Sequence, residues 1–328
     1  MVQPLKGIHH VTAITSSAEE NYRFFTYVLG MRLVKKTVNQ DDINTYHLFF
    51  TDDKGSPGTD MTFFDFQGIP KGRHGTNEIE RTGFRVPSDE ALAYWEKRFD
   101  HYNVKHGGVT EQFGKKVINF VDFDDQYYQL ISDQQNSGVK GGEPWKNSPV
   151  PDEYQIVGLG PIHITIEKFD FFKKVLTEVL GFTLIDQADE KYLFEVGEGG
   201  NGAQVLVRHV TNKPDGRQGY GTVHHVAFRV EDREALDGWI DYLPQFGFRT
   251  SGYVDRFFFE SLYARVAPQI LFEWATDGPG FLGDEPYETL GEKLSLPPFL
   301  EPKRDEIEQI VRPIDTKRSD KTIEKEYF

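Results

Sequence analysis

The sequence predicts an α+β fold assembled from four copies of one βαβββ module. Three observations predict it. A strand, a short helix and a closing glycine occur in the same order near residue 10 and again near residue 163. A strand ending in Phe-Arg-Val and running into an amphipathic helix occurs near residue 84 and again near residue 228. A Gly/Pro/Ser-rich stretch separates the two halves of the chain.

The first module opens on Gly7-Ile8-His9-His10-Val11-Thr12, a strand of β-branched residues and histidines. A polar break at Ser16-Ser17 follows, then a helix whose apolar positions Tyr22, Phe25 and Leu29 keep the 3.6-residue period. Gly30 stands where a left-handed glycine ends a helix, and Met31-Arg32-Leu33-Val34 starts the next strand. Residues 160–181 repeat this: Ile162-His163-Ile164-Thr165-Ile166, a helix through Phe171, Phe172, Val175, Leu176 and Val179, and then Gly181. In the second pair, Thr82–Val86 leads through the N-cap candidate Ser88 into a helix with Leu92, Trp95 and Phe99. Val226–Val230 leads likewise into a helix with Leu236, Trp239, Ile240 and Leu243. Aromatic-rich strands follow in each, Val117–Phe120 and Tyr128–Ile131 in one, Phe257–Ser261 and Leu271–Glu273 in the other. The expected modules are roughly 5–66, 77–134, 157–210 and 220–277. By sequence they group into a first domain 1–135 (modules 1 and 2), a linker 136–156, a second domain 157–280 (modules 3 and 4) and a C-terminal extension 281–328. The extension is expected to hold one short charged helix, Asp305–Val311, and a frayed tail from Asp315.

Composition narrows the function. The chain has 328 residues and 38% apolar content, enough for real cores, and a net charge of −15 that disfavours a nucleic-acid partner. It has no cysteine, which removes disulfides, thiolate metal sites and a thiol nucleophile. The N-terminal Met1–Lys6 carries no apolar leader and no apolar run is long enough to span a bilayer, so a soluble cytoplasmic protein is expected.

Two strands carry the chemistry. Thr222-Val223-His224-His225-Val226-Ala227-Phe228 repeats the His-His-Val pattern of the first strand, and Gln269-Ile270-Leu271-Phe272-Glu273-Trp274 places a lone carboxylate in an apolar run. A buried glutamate without a partner is costly, and a metal supplies the partner. His10, His225 and Glu273 therefore form the predicted metal set, a 2-His-1-carboxylate triad of the kind that holds Fe(II) with positions left open. Superposing the modules sets His163 on His10, Arg81 on His225 and Gln129 on Glu273, so one ligand set is complete and the other broken. Module 1 should then pack with module 4 around the active cup, and module 2 with module 3 around an empty one. His9 and His224 have the wrong strand parity for the cavity unless a bulge re-aims them. His47, His101, His106 and His209 show no pattern, and Lys71-Gly72-Arg73-His74-Gly75 reads as a surface loop or lid. Asp60, in Gly58-Thr59-Asp60, sits in module 1 roughly where Glu273 sits in module 4, but the turn before it favours a capping role.

With these residues in view, most of residues 5–280 resembles the vicinal oxygen chelate superfamily. The residues around the triad resemble its hydroquinone ring-cleaving dioxygenases: Ile8–Thr12, His224-His225, Arg256 ahead of Phe259–Tyr263, and the Phe-Glu at Glu273. The resemblance implies two pseudo-symmetric half-barrel domains, Fe(II) (or Mn(II)) on His10, His225 and Glu273, and His9, Thr12, His224, Arg256 and Tyr263 around it. His224, or else His9, would be the base, with Arg256 and Tyr263 stabilising charge. The expected partners are a small aromatic substrate and O2, with no nucleic acid and no membrane; a homo-oligomer stays open. The alternatives are a glyoxalase-like isomerase or lyase and a metal-free aromatic- or drug-binding resistance protein.

Overall fold

The computed structural model describes residues 2–328. Module 1 consists of β1 (Ile8–Ile14), α1 (Ala18–Arg23), β2 (Arg32–Asn39), β3 (Asp42–Thr51) and β4 (Asp60–Asp65). Module 2 consists of β5 (Glu78–Val86), α2 (Asp89–His101), β6 (His106–Gln112), β7 (Lys115–Val121) and β8 (Tyr127–Ser132). Module 3 has β9 (Gly158–Ile166), α3 (Phe169–Lys174), β10 (Thr183–Ala188), β11 (Lys191–Glu195) and β12 (Gln204–His209). Module 4 has β13 (Thr222–Val230), α4 (Arg233–Tyr242), β14 (Val254–Asp255), β15 (Phe259–Ala267) and β16 (Ile270–Pro279), and α5 (Arg304–Ile310) follows.

Local chemistry explains the elements. Ser17, Ser88 and Asp232 accept hydrogen bonds from the amides of Glu20, Ala91 and Ala235, and so cap α1, α2 and α4. Both α1 and α3 widen into a π turn, Phe24–Val28 and Val175–Val179, before Gly30 and Gly181 end them at φ of 70° and 77°. Helix side chains fill the outer face of the sheets: Phe25 lies 5.1 Å from Phe50 and 4.8 Å from Phe63, ring centre to ring centre. The strand expected from Phe257 begins only at Phe259, because Phe257 takes a left-handed turn conformation.

Two eight-stranded sheets curl into half-barrels, with strand orders β14-β15-β16-β13-β1-β4-β3-β2 and β10-β11-β12-β9-β5-β8-β7-β6. Each sheet joins one module from each half of the chain, module 1 with module 4 and module 2 with module 3. The 136–156 stretch thus divides the sequence repeats, whereas both sheets cross that division. The two chain segments that change sheets, 70–76 and 214–220, run side by side through bridges such as Arg73 to Arg217. The Lys71–Gly75 loop is therefore part of a clasp between half-barrels and not a lid; His74 stacks on Tyr127 at 4.1 Å.

Strand register corrects one superposition. Thr12 lies opposite His225 across β1 and β13, and His163 lies opposite Arg81 across β9 and β5. Since Ile8 opposite Phe228 likewise matches Leu159 opposite Phe84, His163 occupies the position of Thr12, and Pro161 that of His10. Gln129 opposite Gly83 does match Glu273 opposite Ala227.

The tail also differs from expectation. Arg318 is buried and donates to the carbonyl oxygens of Leu33 and Leu290 at 2.6 Å each. Glu326 meets the fully buried Arg98 at 2.7 Å and accepts from the Tyr102 hydroxyl. The charges that suggested fraying are what strap the tail to modules 1 and 2. Arg98 in turn donates to the carbonyls of Tyr27 and Val28 at the end of the first helix. Arg98→Met is expected to cost about 2–4 kcal/mol, because it strands two carbonyls and one carboxylate; the shift of the urea unfolding midpoint measures it.

Candidate metal centre

His10, His225 and Glu273 stand on the three adjacent strands β1, β13 and β16, all of them buried. Glu273 and His10 both lie opposite Ala227, one on each side of it, so the small methyl leaves the centre open. The Nε2 atoms of His10 and His225 are 3.3 Å apart, and Glu273 Oε2 lies 3.1 Å from the first and 2.9 Å from the second. Glu273 Oε1 accepts a hydrogen bond from Ser261 Oγ at 2.6 Å, which fixes the carboxylate plane. Oε2 has no hydrogen-bond partner of proper direction although it is sealed from solvent. Burial opposes ionisation of Glu273; positive charge at the imidazole nitrogens facing it outweighs burial and holds the carboxyl well below the usual range, and a bound cation would supply that charge in their place. Among the described residues this is the one cluster of three such groups whose ligand atoms converge.

The histidine doublets explain how the rings of His10 and His225 are aimed. A β-bulge lies at His9, where Ile8 and His10 oppose the consecutive residues Phe228 and Ala227. A second bulge lies at His224, where Thr12 and Ala13 oppose His225 and Val223. Each bulge turns the neighbour of a ligand back toward it: His9 Nδ1 lies 2.9 Å from His10 Nδ1, and His224 Nδ1 lies 2.8 Å from His225 Nδ1. His9 Nε2 faces the Thr276 carbonyl at 3.1 Å and must donate to it. Burial pushes His9 down to about 3, so the ring is neutral and its Nδ1 is an acceptor. His10 therefore donates through Nδ1–H and presents a bare Nε2 to the centre, the tautomer a metal ligand needs. At His225 the same pairing recurs, and a metal-facing lone pair on His225 Nε2 would leave His224 with a bare Nδ1 and an Nε2–H; burial also holds His224 down, to about 3. The residues thus fit a divalent cation, with two lone pairs and a carboxylate oxygen that lacks any other partner.

A cavity of about 350 Å³ opens over the centre, walled by Phe49, Phe64, Phe66, Phe258, Phe259 and Leu271. His224, Arg256 and Tyr263 line it. Arg256 Nε donates to Tyr263 Oη at 3.0 Å and its outer nitrogen to Asp41 at 3.0 Å, while Gln40 donates to the Arg256 carbonyl. The β2–β3 hairpin tip thus closes the cup against β14–β15. Burial, reinforced by Glu273, pushes the Tyr263 phenol far up, so it keeps its proton.

Two predicted residues do not reach the cavity. His9 lies behind His10, against Phe259 and the Thr276 carbonyl, so it is a support for His10 and cannot act as a base on a bound molecule. Thr12 has the parity of His10, but its hydroxyl bonds to Thr62 at 2.7 Å. His224 does reach the cavity. Asp60 is buried next to His10 in register but outside the convergent cluster, touching Thr59; burial and the nearby Asp52 push its carboxyl well up. Sequence reading missed His47, which lines the cavity from β3, and Asp41 at the hairpin tip. The alternation of β3 could have flagged His47, since it shares parity with Phe49.

The model of the Glyoxalase/Bleomycin resistance protein/Dioxygenase superfamily matches residues 7–126 and 158–280. The chain is 43% identical over 315 residues to the "Putative ring-cleaving dioxygenase MhqA" of Bacillus subtilis (strain 168), covering 94% of this chain and 99% of that one. It is 32% identical over 319 residues to the "Chlorohydroquinone/hydroquinone 1,2-dioxygenase" of Sphingobium indicum, covering 92% and 95%. A crystal structure described as a "putative dioxygenase" from Bacillus subtilis superposes with a TM-score of 0.87 at 35% identity, over 96% of this chain and 99% of that one. Glyoxalase I from Zea mays shares the fold, with a TM-score of 0.59 at 12% identity over 83% of this chain and 92% of that one.

The geometry predicts uptake of one divalent cation per chain. Glu273→Gln should abolish it in a folded protein, whereas His9→Phe, which removes the acceptor behind His10 together with the donor to the Thr276 carbonyl, should weaken it about 10–100-fold. Calorimetric titration with Mn(II) or Fe(II) without oxygen, beside circular dichroism, checks both.

Proposed function

The chain belongs to the glyoxalase/bleomycin resistance protein/dioxygenase superfamily, and on that premise we propose that it is a ring-cleaving dioxygenase that opens a hydroquinone-type aromatic with O2. The observation that carries the reading is the convergence of His10, His225 and Glu273 at the floor of an aromatic-walled cavity. The names of the two relatives, which span almost the whole chain, support the reaction class, and that of the Sphingobium protein supports the substrate class.

His10, His225 and Glu273 would hold Fe(II), with Mn(II) a possible substitute, and this donor set leaves room for two further ligands besides water. When bound, the iron supplies the electron coupling between ring and O2 that no side chain can provide. The protein does the rest. A hydroquinone presents one hydroxyl to the centre, and the Arg256 guanidinium favours its phenolate form. His224 Nε2–H and Arg256 donate toward negative charge that develops on the substrate's oxygens. Tyr263, protonated and oriented by Arg256, supplies an O–H at the same wall. His9 and His224 keep the ligand imidazoles in the right tautomer from behind. The phenylalanine walls hold the ring and keep water away while oxygen is added to it.

The test is oxygen uptake by protein loaded with Fe(II) in the absence of air. Hydroquinone or methylhydroquinone should elicit one O2 consumed per ring opened, and His225→Ala should show none. Arg256→Met should keep the metal and lose about 10²-fold in kcat. Metal-loaded wild-type protein that consumes no oxygen with any hydroquinone would overturn the reading.

A further inference from the structure

The cavity carries polar groups on two walls. One wall, β13–β15, holds His224, Arg256 and Tyr263 beside the metal ligands. The other, the β2–β3 hairpin, holds His47, separated from the ligand strand β1 by the whole of β4. The intervening surface is phenylalanine: the His47 ring lies 4.1 Å from Phe49 and 4.5 Å from Phe64.

A hydrogen-bonded relay stands behind His47. Thr12 Oγ1 lies 2.7 Å from Thr62 Oγ1, which lies 2.9 Å from His47 Nε2. Among the described residues neither hydroxyl has another partner, and Thr12 is fully buried. Only one direction places every hydrogen: Thr12 donates to Thr62 and Thr62 donates to His47 Nε2. Run the other way, the Thr12 hydrogen would be left buried without an acceptor. Nε2 is thus the acceptor and the ring hydrogen sits on Nδ1. That atom has no protein partner among the described residues and is not sealed from the cavity. Burial, with the charge of Arg256 adding to it, keeps the ring neutral, so one fixed N–H faces the cavity.

We propose that His47 reads the second hydroxyl of a para-dihydroxybenzene, its Nδ1–H donating to the ring oxygen remote from the metal ligands. The relay through Thr62 to Thr12 is what fixes that tautomer, and it gives Thr12 a task although it does not touch the cavity. A catechol or a simple phenol offers no oxygen at this wall, so His47 favours hydroquinones by leaving an unpaired buried donor against the others. This deepens the hydroquinone reading above and rests on it.

The experiment is anaerobic calorimetric titration of Mn(II)-loaded protein with hydroquinone and with 4-methylphenol, which lacks the second oxygen. Wild-type protein is expected to favour hydroquinone about 10-fold. His47→Phe should bind both alike, with the metal content unchanged, and Thr62→Val, which leaves the imidazole but removes its partner, should lose part of the preference. In turnover, His47→Phe should raise KM for hydroquinone more than it lowers kcat. A wild-type protein without the preference, or a His47→Phe protein that keeps it, overturns the proposal. Oxygen uptake is scored separately: preference without uptake overturns the dioxygenase reading and leaves the role of His47 standing.

Discussion

A fully buried carboxylate is the constraint around which this structure is built. Glu273 sits in the middle of a sheet, between apolar strands, where an unpartnered ion costs several kcal/mol even after relaxation. One oxygen is satisfied by Ser261 and the other points at two imidazole nitrogens. Those nitrogens come from strands more than two hundred residues apart in sequence. The pairing of β1 with β13 and of β13 with β16 therefore serves burial and chemistry together: the sheet that covers the core is also what brings three donors to one point.

The doublets His9-His10 and His224-His225 show how little local change the site needs. A regular strand would aim each first histidine away from its neighbour's target. One extra residue in the ladder, placed once on each strand, turns it back. The result is two supports placed alike, one behind His10 and one behind His225. The second half-barrel keeps the same two irregularities, at Gly160 and Glu80, but has no ligands to aim. The bulges belong to the module, and the donors are a matter of which side chains occupy it.

Much of this was legible in the sequence. The helix periods, the capping serines and the glycines after α1 and α3 are local signals, and they held because local sterics decide them. The convergence of His10, His225 and Glu273 was legible because a carboxylate in an apolar run has few explanations. The position of His163 was misread because register is set by partner strands and bulges, which no single segment records. The tail looked solvated since its charges were visible and their buried partners, the Leu33 and Leu290 carbonyls and Arg98, were not. His47 was passed over for a similar reason: its neighbours in space, Thr62 and Thr12, lie on two other strands.

The interleaving of modules bears on how the protein is made. A nascent chain that has emerged through module 2 can offer His10 alone, and through module 3 nothing more, because His225 and Glu273 arrive in module 4. Neither half-barrel can close before the second half of the chain is available, so both sheets form from distant partners, a slow class of contact. On the proposed metal-binding role, the three donors meet only in a chain whose fold is already complete.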